Sequence, residues 1–392
     1  MTEDLRVGVI GYGQRGTIAR YAHRPGEGSR IVVVADPSAR AQQAARAHFG
    51  DSVTCVDTVA DLLAAGVDAV VILTPDDTHA AITVEALRAG AAVFVEKPMA
   101  IQVADADLML EAAYTSGAKL YVGHNMRHMP VIRQLKRLID DGAVGRVRAV
   151  WCRHFVGHGG DFYFKDWHAD RRRTNTLLLQ KGAHDLDVIH WLAGGYTRAV
   201  QGIGRLAVYG DVTDRRDNSD RLMHDWYSLD SYPPLQQREL NPVVDVEDLS
   251  MVLMTLDNEV LASYQQCHFT PDYWRNYTVI GDEGRIENIG DEGGDQIHVW
   301  TSRRGGARSP DRIEVIERAA GEHSGADPRL MAEFLDFVRH GHPTEVSAVA
   351  AREAVATACG GADSIRSGGA PVAVPPPDPA LVTYFESGQV RA

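Results

Sequence analysis

Residues Arg6-Val7-Gly8-Val9-Ile10 read as a short apolar strand that runs directly into Gly11-Tyr12-Gly13-Gln14-Arg15-Gly16, after which Thr17 to His23 suit a helix. Strand, G-x-G-x-x-G and helix in that order constrain a chain more than any other stretch here. Gly11 allows a tight turn, Gly13 lets backbone approach a pyrophosphate, and Gly16 permits close packing of helix on sheet. The six loop residues, Gly11, Tyr12, Gly13, Gln14, Arg15 and Gly16, are therefore expected to bind a dinucleotide. A second apolar strand, Ile31 to Ala35, ends at Asp36, where a carboxylate would hydrogen-bond the adenosine ribose. Asp36 favours NAD, since it would repel a 2′-phosphate; Arg40, four residues on, leaves NADP possible.

The alternation continues. Ala41 to Phe49 reads as a helix, Ser52 to Val56 as a strand, Val59 to Ala65 as a helix, and Asp68 to Leu73 as a buried strand ending in Thr74-Pro75. His79 opens the next helix. Val93-Phe94-Val95-Glu96-Lys97-Pro98 is another apolar strand, closed by a proline that cannot donate to a ladder. It leaves Lys97 at the carboxyl edge of the sheet, where open α/β folds carry their ligand chemistry. The bland alternative is a surface lysine paired with Glu96. A helix from about Val103 to Ser116 and a strand at Lys119 to Gly123, ending at His124-Asn125, complete a parallel, doubly wound sheet over residues 1–125.

After Asn125 the pattern changes. Met126 to Asp141 reads as one amphipathic helix stopped near Gly142, and longer alternating strands follow at Val147 to Phe155, Val200 to Tyr209, Asp248 to Leu256, Val260 to Phe269 and Arg275 to Ile280. Asp257-Asn258-Glu259 is a hairpin turn. Residues 126–392 are thus expected to form an α+β domain with a large, mainly antiparallel sheet. Its long loops at 156–176 and 210–245 would shape a pocket, and its proline-rich tail from about residue 370 would be extended. Gln180 to Leu192 reads as one helix with Gln180, His184 and Asp187 on a shared face.

The formal net charge of −13 argues against a nucleic-acid surface, which would carry a basic face. Cys55, Cys152, Cys267 and Cys359 show no paired spacing, which suggests reduced thiols in a cytoplasmic chain rather than a disulfide framework or a zinc site. No apolar run reaches membrane-spanning length, and no metal site is expected.

Together the glycine-rich start, Asp36, Thr74-Pro75 with His79, Glu96-Lys97-Pro98 and the second, antiparallel half resemble the Gfo/Idh/MocA oxidoreductases over nearly the whole chain. The resemblance implies that the dinucleotide lies across the first domain, contacted also by Thr74, Pro75, His79, Glu96, Lys97 and Asn125. A sugar or cyclitol would lie against the second domain's sheet, with homodimers or homotetramers packing sheet to sheet. It makes Lys97 and His184 the catalytic candidates. Family members commonly carry Asp four residues before the catalytic His, and here Gln180 stands in its place. Asp187 is a candidate to orient His184, against the plainer reading of a packed helix-start carboxylate. Lys97, Arg127, Tyr163, Trp167, Gln180 and His184 are the substrate-contact candidates, Trp167 because an aromatic face suits the apolar side of a sugar ring. The expected activity is hydride transfer between nicotinamide and a secondary alcohol of a sugar, glycoside or cyclitol. Two alternatives are glycoside cleavage through transient oxidation and a non-catalytic NAD-binding regulator.

Overall fold

A computed structural model describes residues 3–321 and 323–390. The chain forms two compact units. One comprises residues through Asn125, Ala326–Val355 and the chain from Pro377 onward; the other comprises Met126–Gly325 and Ala356–Pro376. A simple cut at residue 125 into two consecutive domains is therefore corrected to an interleaved arrangement.

In the first unit, β1 (Leu5–Ile10), β2 (Ser29–Ala35), β3 (Thr54–Val56), β4 (Ala69–Ile72), β5 (Ala92–Val95) and β6 (Leu120–Val122) form a parallel sheet in the order 3-2-1-4-5-6. The order reverses beside β1, which places the topological switch at the carboxyl ends of β1 and β4. The glycine-rich turn opens not an α-helix but a 3₁₀ segment, Gly16–Ala22. The apolar face of helix Ala326–His340 completes this unit's core. Leu330, Phe334 and Phe337 are buried with Val7, Ile18 and Phe49, and the Phe334 ring meets Phe94 at 5.6 Å and Tyr121 at 5.8 Å. Sequence order hides this contribution because the helix lies some two hundred residues beyond β6.

The tail is also not simply extended. Val372–Ala373 is a strand, and Pro379–Glu386 is a helix capped by Asp378, with Leu381, Tyr384 and Phe385 buried at helical spacing. Tyr384 lies against Tyr114 with ring centroids 5.1 Å apart. Proline at the first helical turn starts this helix rather than preventing it.

The second unit is built on a nine-stranded sheet: β7 (Val147–Phe155), β8 (Thr197–Arg205), β9 (Leu249–Leu256), β10 (Leu261–Cys267), β11 (Trp274–Gly281), β12 (Arg285–Ile289), β13 (Gln296–Trp300), β14 (Arg312–Val315) and β15 (Val372–Ala373), in the order 14-13-12-11-7-10-9-8-15. All neighbours pair antiparallel except β7 and β10, which run parallel. The segments 126–141 and 156–176 depart from expectation. The first divides into a 3₁₀ turn, Asn125–His128, and a helix, Pro130–Asp140, since Pro130 starts a helix but lacks the N–H to continue one. The second holds short helices at Gly159–Tyr163, Trp167–Ala169 and Arg171–Thr174 rather than open loop.

Candidate active site

The glycine-rich loop sits at the carboxyl end of β1. Gly11 adopts a positive φ of 83°, and a Cβ there would meet Thr74 Cγ2 at 2.8 Å, so the turn admits only glycine. At Gly13 a Cβ would meet no protein atom within 4 Å. Nothing in the protein requires glycine at that point, as expected if a ligand approaches the backbone there. Gly16 differs from expectation, because its close neighbour is the Tyr12 ring at 3.0 Å rather than the sheet. The Tyr12 and Ser38 N–H groups each donate to the Asp36 carboxylate at 2.8 Å, which holds that acid at the end of β2 beside the loop.

His79 is buried. Its ring nitrogens lie 2.8 Å from the Pro98 carbonyl oxygen and 2.9 Å from that of Thr74. It thus ties the turn after β4 to the turn after β5, a bracing position rather than an exposed contact surface. Thr74 also meets Thr78 hydroxyl to hydroxyl at 2.7 Å.

Between Ala91 and Ala100 every residue is buried except Lys97, which is half-buried at the carboxyl edge of β5. Glu96 is buried and accepts from Arg15 Nε at 2.7 Å and from the Lys97 backbone N–H at 3.1 Å. Glu96 is thus a buried carboxylate held by the glycine loop, not one at the surface. Burial opposes the charge on Arg15, but Glu96 and Asp327 outweigh it and keep the guanidinium's pKa above its ordinary value. Asp327, in the first turn of helix Ala326–His340, also accepts from Asn125 Nδ2 at 2.8 Å.

In the second unit, the expected single helix at 180–192 is two. Leu177–Gln180 ends, Lys181-Gly182 turns, and Ala183–Ala193 begins. A Cβ on Gly182 would lie 2.3 Å from the Leu178 carbonyl oxygen, so the chain folds back on itself too tightly for any other residue. The shared helical face of Gln180, His184 and Asp187 is therefore corrected: Gln180 belongs to a different helix. Asp187 accepts from Arg127 at 2.8 and 2.6 Å, and the Arg127 guanidinium also lies over the Trp191 ring. Arg127 is buried in that bidentate pair, which fits a strut on helix Ala183–Ala193 better than a substrate contact.

Residues 174–190 are all buried except Lys181 and His184, so the fold presents a second cation beside the expected histidine. Tyr163 is buried edge-on against His168 and His268; Trp167 is half-buried and stacks on His168 at 3.7 Å. Of the three loop arginines, Arg171 bonds to Asp245, Arg172 to Asp170, and Arg173 lies over Trp167.

The carboxylate that dominates this unit is one that sequence reading passed over. Asp185, fully buried beside His184, accepts from His154 Nδ1 at 3.0 Å, from the Tyr264 hydroxyl at 2.9 Å and from the Tyr277 hydroxyl, and lies 3.1 Å from Arg275 Nε. Burial pushes its carboxyl up, but Arg275 and His154 hold it well below the usual range. His154, on β7, is driven down to about 3 by burial and by Arg275; burial likewise takes His268 to about 3 and His190 to about 4.

These shifts carry a stability consequence. Each histidine's folded pKa lies below its unfolded value, so the unfolded chain binds more protons and stability falls as pH drops below about 6.5. The slope is about 1.4 kcal/mol per histidine per pH unit until the folded values are reached. Asp248 and Asp291, raised by burial, act in the opposite sense. Urea midpoints measured from pH 7 to pH 4 are expected to fall steeply, and a flat profile would show these histidines to be protonatable in the fold.

Among the described residues, no group of three His, Cys, Asp or Glu could hold a metal ion, and no helix is long and apolar enough to cross a membrane. Residues 5–124 match the family model described as oxidoreductase family, NAD-binding Rossmann fold, and residues 132–287 match that of the GFO/IDH/MocA C-terminal domain. The chain belongs to the Gfo/Idh/MocA oxidoreductases. Among similar members, YteT of Bacillus subtilis (strain 168), an oxidoreductase by name, is 26% identical over 68% of this chain and 72% of its own length. An inositol 2-dehydrogenase of Rhizobium meliloti (strain 1021) is 36% identical over 48% of this chain and 55% of its own, so the match spans about half of that relative. Levoglucosan dehydrogenase, solved with NADH and L-sorbose, shares the Gfo/Idh/MocA fold with a TM-score of 0.78 and 19% identity over 95% of this chain and 99% of its own. The residues around Gly13 and Asp36 fit the NAD that the family binds. The glycine loop would hold the pyrophosphate and Asp36 the adenosine ribose.

Proposed function

We propose that this protein is an NAD-dependent dehydrogenase acting on a secondary alcohol of a cyclitol or sugar. The observation that carries the reading is Lys97, left half-open at the carboxyl edge of a dinucleotide-binding sheet whose neighbouring residues are all buried. Bound NAD would supply the hydride acceptor. The chain's own task is to take the hydroxyl proton as the carbinol C–H bond breaks, and to hold the alcohol in reacting geometry. Lys97 is the first candidate for that proton and His184 the second. The anchoring of Asp36 by two backbone N–H groups supports NAD over NADP. The names of the relatives, inositol 2-dehydrogenase and levoglucosan dehydrogenase, support a polyhydroxylated ring as substrate.

Incubation with NAD or NADP across inositols, sugars and aryl glycosides, read for reduced nicotinamide and for free aglycone, tests the reading. Reduced cofactor with a cyclitol or sugar is the expected result. Aglycone without reduced cofactor, or NADH binding with no turnover anywhere in the panel, would overturn it.

The free cysteines, with Cys152 and Cys359 buried, support a cytoplasmic protein. The outward face of the nine-stranded sheet supports a homodimer or homotetramer. Ile203 is 65% exposed, Leu253 63% and Trp151 50%, and Gln201, Leu253, Ser263 and Trp151 lie in one cross-strand row. Exposed apolar surface of this extent marks an association face. Leu253→Arg is expected to convert the oligomer to monomer in light scattering, with the circular dichroism spectrum retained; a parent that is already monomeric would refute sheet-to-sheet packing.

A further inference from the structure

We propose that Asp327 is a positioning residue of the dinucleotide site, acting through Arg15. Two carboxylates from distant parts of the sequence converge on one guanidinium, and an amide joins one of them. Arg15 Nη1 and Nη2 meet the two oxygens of Asp327 at 2.7 and 3.0 Å, and Arg15 Nε meets Glu96 at 2.7 Å. Asp327 also receives Asn125 Nδ2, and Glu96 receives the backbone N–H of Lys97. Asp327 is fully buried, Glu96 and Asn125 nearly so, and the Arg15 side chain is 28% exposed.

This geometry fixes what Arg15 does. Its five donors are directed in a planar fork, and the Asp327 pair uses one edge of that fork while Glu96 takes Nε. The guanidinium is therefore oriented by two carboxylates and is not a loose cation waiting for phosphate. What it transmits is position. The glycine loop between Gly13 and Gly16 is pinned through Arg15 to the end of β5, where Lys97 begins, and to the end of β6 at Asn125. The anchor is rigid because helix Ala326–His340 is seated in the core by Leu330, Phe334 and Phe337. A residue 312 positions from Arg15 thereby sets the shape of the loop that receives NAD.

The proposal rests on NAD binding at this loop, and its test reads binding rather than turnover. NADH titrations of the full chain would compare the parent with Asp327→Asn, Arg15→Met and the double variant, below each variant's melting temperature. Asp107→Asn serves as control. It replaces the carboxylate that pairs with buried Arg352 in the same unit, Asp107 itself being 37% exposed. Each single loop variant is expected to weaken NADH binding at least tenfold, the double variant no more than the weaker single, and the control less than twofold. Asp327→Asn binding within twofold of the parent, or more tightly through a released Arg15, would overturn the proposal. So would strictly additive losses, or equal weakening by Asp107→Asn, which would mark a general loss of structure. Should Asp327→Asn fail to fold, Arg15→Met decides by the same criterion. A parent that binds neither NADH nor NADPH would overturn the cofactor assignment itself.

Discussion

Lys97→Met is expected to lower kcat by about 10² to 10⁴, the range associated with a positioned general base, while NADH affinity stays within a few-fold of the parent. Methionine keeps most of the unbranched apolar stem and removes the amine. The backbone N–H of Lys97 still donates to Glu96, which leaves the link to Arg15 intact. The measurement is a pair: single-turnover or steady-state rates with the substrate identified by the panel, and NADH titration of the same protein. Loss of rate with binding preserved identifies Lys97 as the group that handles the proton. Near-parental turnover would remove it from the chemistry and leave His184 as the candidate. A parallel loss of NADH affinity would instead make Lys97 chiefly a cofactor contact.

Much of the first unit was legible because its signals are local. A parallel strand buried on both faces is a continuous apolar run, and Val93 to Val95 or Val70 to Ile72 cannot be mistaken for exposed structure. The glycine loop and Asp36 likewise depend on spacing within a few tens of residues. The carboxylate that completes the loop was not legible, because Asp327 lies in a segment with no pattern of its own relation to Arg15. Only the return of helix Ala326–His340 to the first core reveals it. The same limit explains the tail, where Pro375-Pro376-Pro377 suggested extension although Asp378 and Pro379 are a helix start.

The second unit shows a different failure. Period alone predicted one helix from Gln180 to Leu192, yet a steric fact at Gly182 splits it, and no periodicity records a carbonyl oxygen 2.3 Å from an absent Cβ. His184 was found by resemblance, and Asp185 was overlooked because its partners lie on three strands distant from it in sequence. In the fold helix Ala183–Ala193 drives Asp185 into the sheet, where β7, β10 and β11 supply His154, Tyr264, Arg275 and Tyr277.

That buried carboxylate carries the largest expected effect on stability. Asp185→Ala should cost about 3 to 5 kcal/mol, because it leaves the Arg275 guanidinium charged and uncompensated in the interior. Asp291 is the remaining carboxylate near Arg275, at 3.9 Å from Nη1, and shares its charge with the Tyr273 hydroxyl, so it cannot replace a contact at 3.1 Å. The Tyr277 hydroxyl loses its acceptor as well and adds the cost of a buried polar group without a partner, whereas the Tyr264 hydroxyl keeps Gln266 Oε1 at 3.1 Å. Urea unfolding followed by circular dichroism would measure the loss, and a change below about 1 kcal/mol would show that water or a rearranged side chain satisfies the cluster. The double replacement Asp185→Leu with Arg275→Met separates the charge from the packing. Removing both ions together should recover much of the stability lost by Asp185→Ala, since an apolar pair of similar volume avoids desolvating either charge. If that double variant is stable yet turns over slowly, the network's contribution is to hold the first turn of helix Ala183–Ala193, and His184 with it, in one orientation. If it is stable and fully active, the ion pair contributes to folding alone and His184 is held by the rest of its helix.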